Sequence, residues 1–157
     1  MDQAEFDLHA EVEQRHWWFT GRRHIMRTLL RNLVPPGEHK TVVDIGCGTG
    51  ANIASLSGDY HAIGVDASDY AIEQARAAHP DVEFHATIDD TVLADLVGQA
   101  AAVTIMDVLE HVPDDHEMLS KLLAAARPGT YFLITVPAHL ALWSKHDEVF
   151  GHYRRYT

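Results

Sequence analysis

The chain has 157 residues and a mass of 17.5 kDa, the size of one domain with its own core. Apolar residues make up 46% and charged residues 22%, which excludes a disordered, collagenous or coiled-coil chain. The single cysteine, Cys47, excludes a disulfide framework, and the net charge of −11 argues against general nucleic-acid binding. No apolar run reaches the roughly 20 residues that span a bilayer, and no signal peptide is recognisable, so we expect a cytoplasmic protein.

Apolar residues recur at helical spacing over 22–33, which predicts a helix before the first strand. We expect its inward face to consist of Ile25, Leu29, Leu30 and Leu33. Two prolines and a glycine at 35–37 then break the chain. A weaker pattern favours another helix over 2–14.

Short apolar runs alternate with helix-period segments along the rest of the chain. The runs predict strands buried on both faces and lie at 41–45, 61–65, 82–86, 102–106 and 131–136. The helical segments lie at 50–57, 69–79, 91–97 and 114–127. This alternation predicts an α/β fold, a doubly wound parallel sheet with helices on both faces. In such sheets ligands bind beyond the carboxyl ends of the strands.

The first predicted strand runs directly into three alternate glycines, Gly46, Gly48 and Gly50, and a helix follows. Glycine permits a positive φ and has no Cβ, so a ligand can approach the backbone closely. The free N–H groups at a helix start suit an anionic or polar ligand. Cys47 lies inside this turn, where its small size suffices. The turn therefore predicts a cradle for a small molecule.

Asp66 ends the second predicted strand, and a carboxylate there can accept hydrogen bonds from the two hydroxyls of a ribose. Turn and acid together predict an adenosine-containing cofactor. A nicotinamide dinucleotide and S-adenosylmethionine both remain open on this geometry. The spacing G-x-G-x-G in place of G-x-G-x-x-G favours S-adenosylmethionine. Asp44, just before the turn, adds to this preference because it would repel a pyrophosphate and tolerate a cationic cofactor.

Four short segments resemble one known family. VVDIGCGTG at 42–50 and IGVD at 63–66 are similar to the cofactor motifs of class I S-adenosylmethionine-dependent methyltransferases, and VLEHV at 108–112 and RPG at 127–129 match later landmarks. The HWWF and GHYRRYT segments near the two ends resemble a bacterial subgroup that acts on small molecules. The resemblance implies a Rossmann-like sheet in the order 3-2-1-4-5, with the family's final strands missing.

The resemblance also implies which residues hold S-adenosylmethionine. They are Asp44, Gly46, Cys47, Gly48, Gly50, Asp66, Ala67, Ile88, Asp107 and Val108. Asp44 would lie near the methionyl ammonium and Asp66 would hold the ribose. Ala67 and Ile88 would flank the adenine, while Asp107 and Val108 would border the sulfonium.

Polar residues follow the fourth predicted strand, beside the expected cofactor. We expect His111 and Asp107 to be the catalytic residues, with His111 as a base if the acceptor must lose a proton. The D-x-x-E-H spacing of Asp107, Glu110 and His111 also resembles the metal motif of quinone-biosynthesis O-methyltransferases. A loop-ordering role for the same residues is the alternative, and our prediction contains no metal.

We expect one domain in three parts: a helical cap over 1–37, a cofactor-binding core over 38–136 and a substrate-side tail over 137–157 without clear elements. The predicted function is methyl transfer to a small-molecule acceptor, with the methylated atom type open. A nicotinamide-dependent oxidoreductase and a non-catalytic S-adenosylmethionine-binding fragment are the alternatives. We expect no nucleic-acid or membrane partner. Because the strand 131–136 would be a sheet edge, we expect self-association through it or a tail folded back across it.

Overall fold

The computed structural model describes residues 16–157, so the helix predicted over 2–14 lies outside the described residues. Its helices are α1 (Trp17–Leu33), α2 (Ala51–Ala54), α3 (Asp69–Ala78), α4 (Asp90–Gln99), α5 (Asp115–Ala125) and α6 (Lys145–Val149). Its strands are β1 (Gly37–Ile45), β2 (Tyr60–Asp66), β3 (Glu83–Ala86), β4 (Ala100–Met106) and β5 (Tyr131–Thr135). Two short 3-10 turns cover Leu109–His111 and Leu140–Leu142.

The strands form one sheet in the order β3-β2-β1-β4-β5, and every pair in it is parallel. In the central strand, Val43 lies opposite Ile63 of β2 and Val103 of β4. This confirms the predicted doubly wound α/β fold and its strand order. The order reverses between β1 and β4, which opens a crevice at the carboxyl ends of the central strands.

Helices bury both faces of the sheet. One face packs against Met26 and Leu30 of α1 and Ile72 of α3. The other face packs against Val97 of α4 and Leu122 of α5. Because both faces are covered, the buried parts of the strands are mostly apolar, the pattern that predicted them, and the buried Asp44 and Thr104 are paired with each other.

Helix α1 presents a different face to the core from the one predicted. Leu30 is fully buried, as expected, but Ile25, Leu29 and Leu33 are 61%, 43% and 46% exposed. Arg27 and Arg31 set the rotation of the helix, because both donate to the buried carboxylate of Asp59 at 2.6–2.9 Å. That ion pair turns the row containing Met26 inward, so the predicted inward face was wrong at three of its four positions.

The segment predicted as a helix over 50–57 is a single turn, Ala51–Ala54. The Ser55 hydroxyl donates to the carbonyl of Asn52 at 2.6 Å, and the Ser57 hydroxyl donates to the carbonyl of Ala54 at 2.9 Å. Serine side chains that bond local carbonyls compete with the helical pattern, which explains the early end.

The tail after β5 contains elements that were not predicted. Ser144 and Asp147 form a capping box that starts α6, and Ala138 forms a parallel bridge with Tyr156. The Tyr153 amide donates to the carbonyl of Glu110 at 2.7 Å. The tail therefore packs over the end of β4, and β4 is the only strand partner of β5 among residues 16–157.

Candidate functional site

A cavity of about 1890 Å³ opens at the carboxyl ends of β1, β2 and β4. Its lining comes from the start of α1, the glycine turn, the loops after β2, β3 and β4, helices α4 and α5, and the tail. These are the places where side chains of a doubly wound sheet converge on a ligand. The cavity is large enough for a cofactor and an acceptor together, since pockets for single small ligands usually measure roughly 300–1,000 Å³.

The three glycines of the turn serve different purposes. All have a positive φ, of 74° at Gly46, 54° at Gly48 and 84° at Gly50. A Cβ at Gly46 would collide with Val108, and one at Gly50 would lie 2.6 Å from Phe84. A Cβ at Gly48 would meet no protein atom within 4 Å, and Gly48 lines the cavity, so the added atom would occupy cavity space. Gly48 is therefore the glycine that leaves room for a ligand, whereas Gly46 and Gly50 allow close packing.

The carboxylate of Asp66 ties the turn to the end of β2. One of its oxygens accepts from the Gly48 amide at 2.9 Å, and the other accepts from the Ser68 amide at 2.9 Å. Asp66 also lines the cavity, and each oxygen keeps a second lone pair for a further donor. The side chain can thus hold a diol and shape the turn at once.

Asp44 lies behind the turn and is not among the residues that line the cavity. It is 1% exposed and accepts from the Thr104 hydroxyl at 2.5 Å. Gly50 is likewise outside the lining. Asn52 lies in the lining instead: it is 8% exposed, and its Oδ1 has no hydrogen-bond partner among the described residues. Sequence reasoning missed Asn52, because an asparagine in the first turn of a helix is an ordinary residue.

The predicted adenine end is open. Ala67 and Ile88 both line the cavity, and Ile88 is 75% exposed. The two acids that follow Ile88 bind other protein groups. Asp89 caps α4 by accepting hydrogen bonds from the amides of Thr91 and Val92. Asp90 forms an ion pair with Lys121 at 2.8 Å. Apolar Ala67 and Ile88 therefore share this end of the lining with the Asp90–Lys121 ion pair.

Asp107 is held by an ion pair that the sequence did not reveal. Its φ is 56°, an uncommon conformation for a non-glycine residue. Its carboxylate pairs with Arg22 of α1 and accepts from the Thr135 hydroxyl at 2.9 Å. Strained backbone of this kind clusters at functional sites. Arg22 and Val108 also line the cavity, so α1 closes over the end of β4.

Glu110 and His111 face the same cavity from the 3-10 turn after β4. Glu110 is 1% exposed, and its Oε2 has no partner among the described residues. Burial, supported by the nearby charge of Asp107, raises the pKa of Glu110 to about 7. Burial, together with the neighbouring His152, lowers the pKa of His111. His111 is therefore a neutral imidazole near pH 7, as a proton acceptor must be.

The tail supplies the last wall of the cavity. The rings of His111 and His152 meet edge to face at 4.7 Å between centroids. One donor atom each from Glu110, His111 and His152 lie within 4.8 Å of one another, and Asp107 is not part of this group. Asp107, Glu110 and His111 thus line the same cavity but do not form one ligand group, as the resemblance to the D-x-x-E-H metal motif would require. Carboxylate and imidazole groups such as these also occur in divalent-cation sites, so a metal site is the alternative use of this cluster.

None of the described helices is long and apolar enough to cross a membrane.

Comparison with known proteins assigns the chain to a family. A family model described as a methyltransferase domain matches residues 15–156. The ubiquinone biosynthesis O-methyltransferase of Aromatoleum aromaticum is 32% identical over 140 residues, which are 82% of this chain and 59% of that protein. The chain belongs to this methyltransferase family. It spans less than two thirds of the length of these curated relatives.

Solved structures share the fold. The crystal structure of DesVI from Streptomyces venezuelae superposes with a TM-score of 0.68 at 21% identity, over 92% of this chain and 61% of that one. Magnesium protoporphyrin IX methyltransferase from Synechocystis, solved with bound S-adenosylmethionine, gives a TM-score of 0.52 at 25% identity, over 69% of this chain and 56% of that one.

Proposed function

We propose that this chain transfers a methyl group from S-adenosylmethionine to a small-molecule acceptor. The observation that carries the proposal is the bond from the Gly48 amide to Asp66, which joins the open glycine turn to a carboxylate at the cavity wall. Family membership supports it, as does the name of the O-methyltransferase relative. The methyl donor supplies one piece of chemistry, an electrophilic methyl carbon on a sulfonium.

The cavity fits this donor at three points. The space above Gly48, which a Cβ would fill, takes the methionyl part. The free lone pairs of Asp66 take the ribose hydroxyls, and Ala67 and Ile88 take the adenine by apolar contact. The unpartnered Oδ1 of Asn52 supplies an acceptor for the methionyl ammonium, the contact expected of Asp44. Asp44 acts from behind by fixing the strand end through Thr104.

The protein's own contribution to the transfer is to align the acceptor and to accept its proton. Transfer of a methyl group depends mainly on holding the acceptor in line with the carbon–sulfur bond. Asp107, fixed by Arg22 and Thr135, and Val108, packed on Gly46, border the reacting end. His111, neutral near pH 7, meets the acceptor. The cap, core and tail boundaries and a cytoplasmic location for the reaction stay part of this proposal.

Calorimetric titration with S-adenosylhomocysteine, beside NADH, tests the cofactor. Transfer of radiolabelled methyl to a panel of hydroxyl and amine acceptors then tests the reaction. We expect binding of S-adenosylhomocysteine, no binding of NADH, and label in at least one acceptor. Binding without transfer to any acceptor would favour a non-catalytic cofactor-binding chain.

A further inference from the structure

Asp147 is a fully buried carboxylate beside the cavity for which the proposed function has no use. It is 0% exposed. It accepts from the Arg155 guanidinium at 2.7 and 2.8 Å and from the Ser144 amide at 2.8 Å. It also lies 2.9 Å from Nδ1 of His152. Few carboxylates are buried in this way unless their partners are fixed.

The donors around Asp147 determine the protonation of His152. Arg155 and the Ser144 amide can only donate, and they hold the pKa of Asp147 well below its usual range. An ionised carboxylate can only accept, so Nδ1 of His152 must carry the proton. The lone pair of a neutral His152 is then on Nε2.

The ring of His152 faces the acceptor end of the cavity. It lines the cavity, and its ring lies 4.7 Å from that of His111 and 6.2 Å from that of His146. The charged or titratable groups around it are Glu110 and His111 from the turn after β4, and His146, Asp147 and Arg155 from the tail. Glu110, with a pKa of about 7, adds little negative charge there below neutral pH.

We propose that His152, oriented by Asp147, is the catalytic base of this site and that the acceptor it serves is a hydroxyl compound. The inference rests on the proposed methyl transfer and deepens it. Asp147 is a positioning residue, since it acts through His152. A base is needed because a neutral hydroxyl must lose its proton when its oxygen is methylated, whereas a neutral amine can lose it afterwards to water.

The hydroxyl proton moves to Nε2 of His152 while an oxygen lone pair forms a bond to the methyl carbon. The carbon–sulfur bond breaks, and its electron pair stays on sulfur as a neutral thioether. The positive charge of the sulfonium thus becomes the charge of the imidazolium, which Asp147 stabilises until the proton passes to water.

His152 suits this role better than His111. Among the described residues no carboxylate is hydrogen-bonded to the ring of His111, and burial lowers the pKa of His111, so a cation on its ring is costly. His152 has an ionised carboxylate on the ring nitrogen opposite to the one that takes the proton. His111 then contributes contact with the acceptor and with the face of His152.

Nitrogen-detected NMR of the histidine rings, with S-adenosylhomocysteine present, tests the orientation. We expect His152 at pH 8 to be the Nδ1–H tautomer with an unprotonated Nε2, assigned by loss of its signals in His152→Gln. Asp147→Asn should abolish that preference. Asp115→Asn is the matched control, because Asp115 also anchors the tail, through Tyr156 at 2.6 Å, without contacting His152. An Nε2–H tautomer, or a doubly protonated ring at pH 8, overturns the proposal.

The probe 4-nitrocatechol, whose absorption changes when its hydroxyl ionises, tests proton acceptance. With S-adenosylhomocysteine bound, we expect the wild type to lower the apparent pKa of the probe by about one unit. His152→Gln should lose this shift, and Asp115→Asn should keep most of it. No shift in the wild type, or an equal shift in His152→Gln, overturns the proposal. A shift lost after EDTA treatment and restored by Mg²⁺ overturns it in favour of a metal site.

Failure of the proposed function would look different. A wild type that does not bind S-adenosylhomocysteine removes the methyl-transfer account. The ring tautomer of His152 can be measured without the ligand, so that measurement would still test the orientation of His152 by Asp147 independently.

Discussion

The backbone amide of Gly48 donates to the carboxylate of Asp66 at 2.9 Å, across 18 residues of chain. This bond joins the glycine turn after β1 to the acid that ends β2. The two strongest sequence signals are therefore one hydrogen-bonded unit, and a substitution at either residue should disturb the conformation of the other.

Gly48→Ala should abolish binding of S-adenosylhomocysteine while leaving the chain folded. The new Cβ meets no protein atom but occupies the cradle, and the positive φ costs about 1–3 kcal/mol of stability. Gly129→Ala is the matched control, because Gly129 also has a positive φ and open space around it, far from the turn. Calorimetry and urea denaturation separate the two effects. If both variants lose a similar amount of stability and only Gly48→Ala loses binding, Gly48 leaves room for the cofactor. Normal binding by Gly48→Ala would contradict this role.

Asp66→Ala should weaken S-adenosylhomocysteine binding by about 1.5–3 kcal/mol, the value of hydrogen bonds to a charged group. The loss has two sources, the ribose contact and the support of the Gly48 amide. Asp69→Ala, which removes an exposed acid three residues further on, should leave the dissociation constant unchanged. An Asp66→Ala protein with wild-type affinity would take Asp66 out of the site.

Stability should fall as the pH rises through the range in which Glu110 ionises. Burial raises the pKa of Glu110 to about 7 in the folded chain, above its ordinary value of 4.5. The folded state therefore holds one more proton than the unfolded state between these values, and raising the pH across them destabilises the fold. Below 4.5 both states are protonated and the difference disappears.

Glu110→Gln tests this dependence, because glutamine resembles the neutral acid. The free energy of unfolding of the variant, minus that of the wild type, should rise by about 2–3 kcal/mol when the pH is raised from 4.5 to 8. Urea denaturation at the two pH values measures it, with the exposed Glu73→Gln as control. A difference between variant and wild type that does not change with pH would show that Glu110 ionises normally.

The outer edge of β5 should mediate self-association. Among residues 16–157 only β4 pairs with this strand, and Tyr131 and Ile134 are 43% and 37% exposed. Unpaired strand edges invite another chain. Ile134→Lys is the better test than a change at Leu133, because Leu133 packs against the core. Light scattering over a concentration series should show association in the wild type and less in Ile134→Lys. A monomeric wild type at all concentrations would contradict it.

The sequence predicted the sheet well and the site in part. Continuous apolar strands and the turn around Gly48 are local signals, so the order of the elements and the position of the glycine turn could be predicted from them. The rotation of α1 could not, because it depends on Asp59, which lies 28 residues after Arg31. The pairing of Arg22 with Asp107 and the array of Asp147 with His152 also depend on contacts between distant segments or on burial. Spacing alone gives no sign of these interactions.

Calorimetric titration of the wild-type chain with S-adenosylhomocysteine, repeated with NADH, tests the central claim most directly. The account predicts saturable binding of S-adenosylhomocysteine at one site per chain and no heat from NADH. Saturable binding of NADH, or no binding of S-adenosylhomocysteine by a chain that circular dichroism shows to be folded, would contradict it.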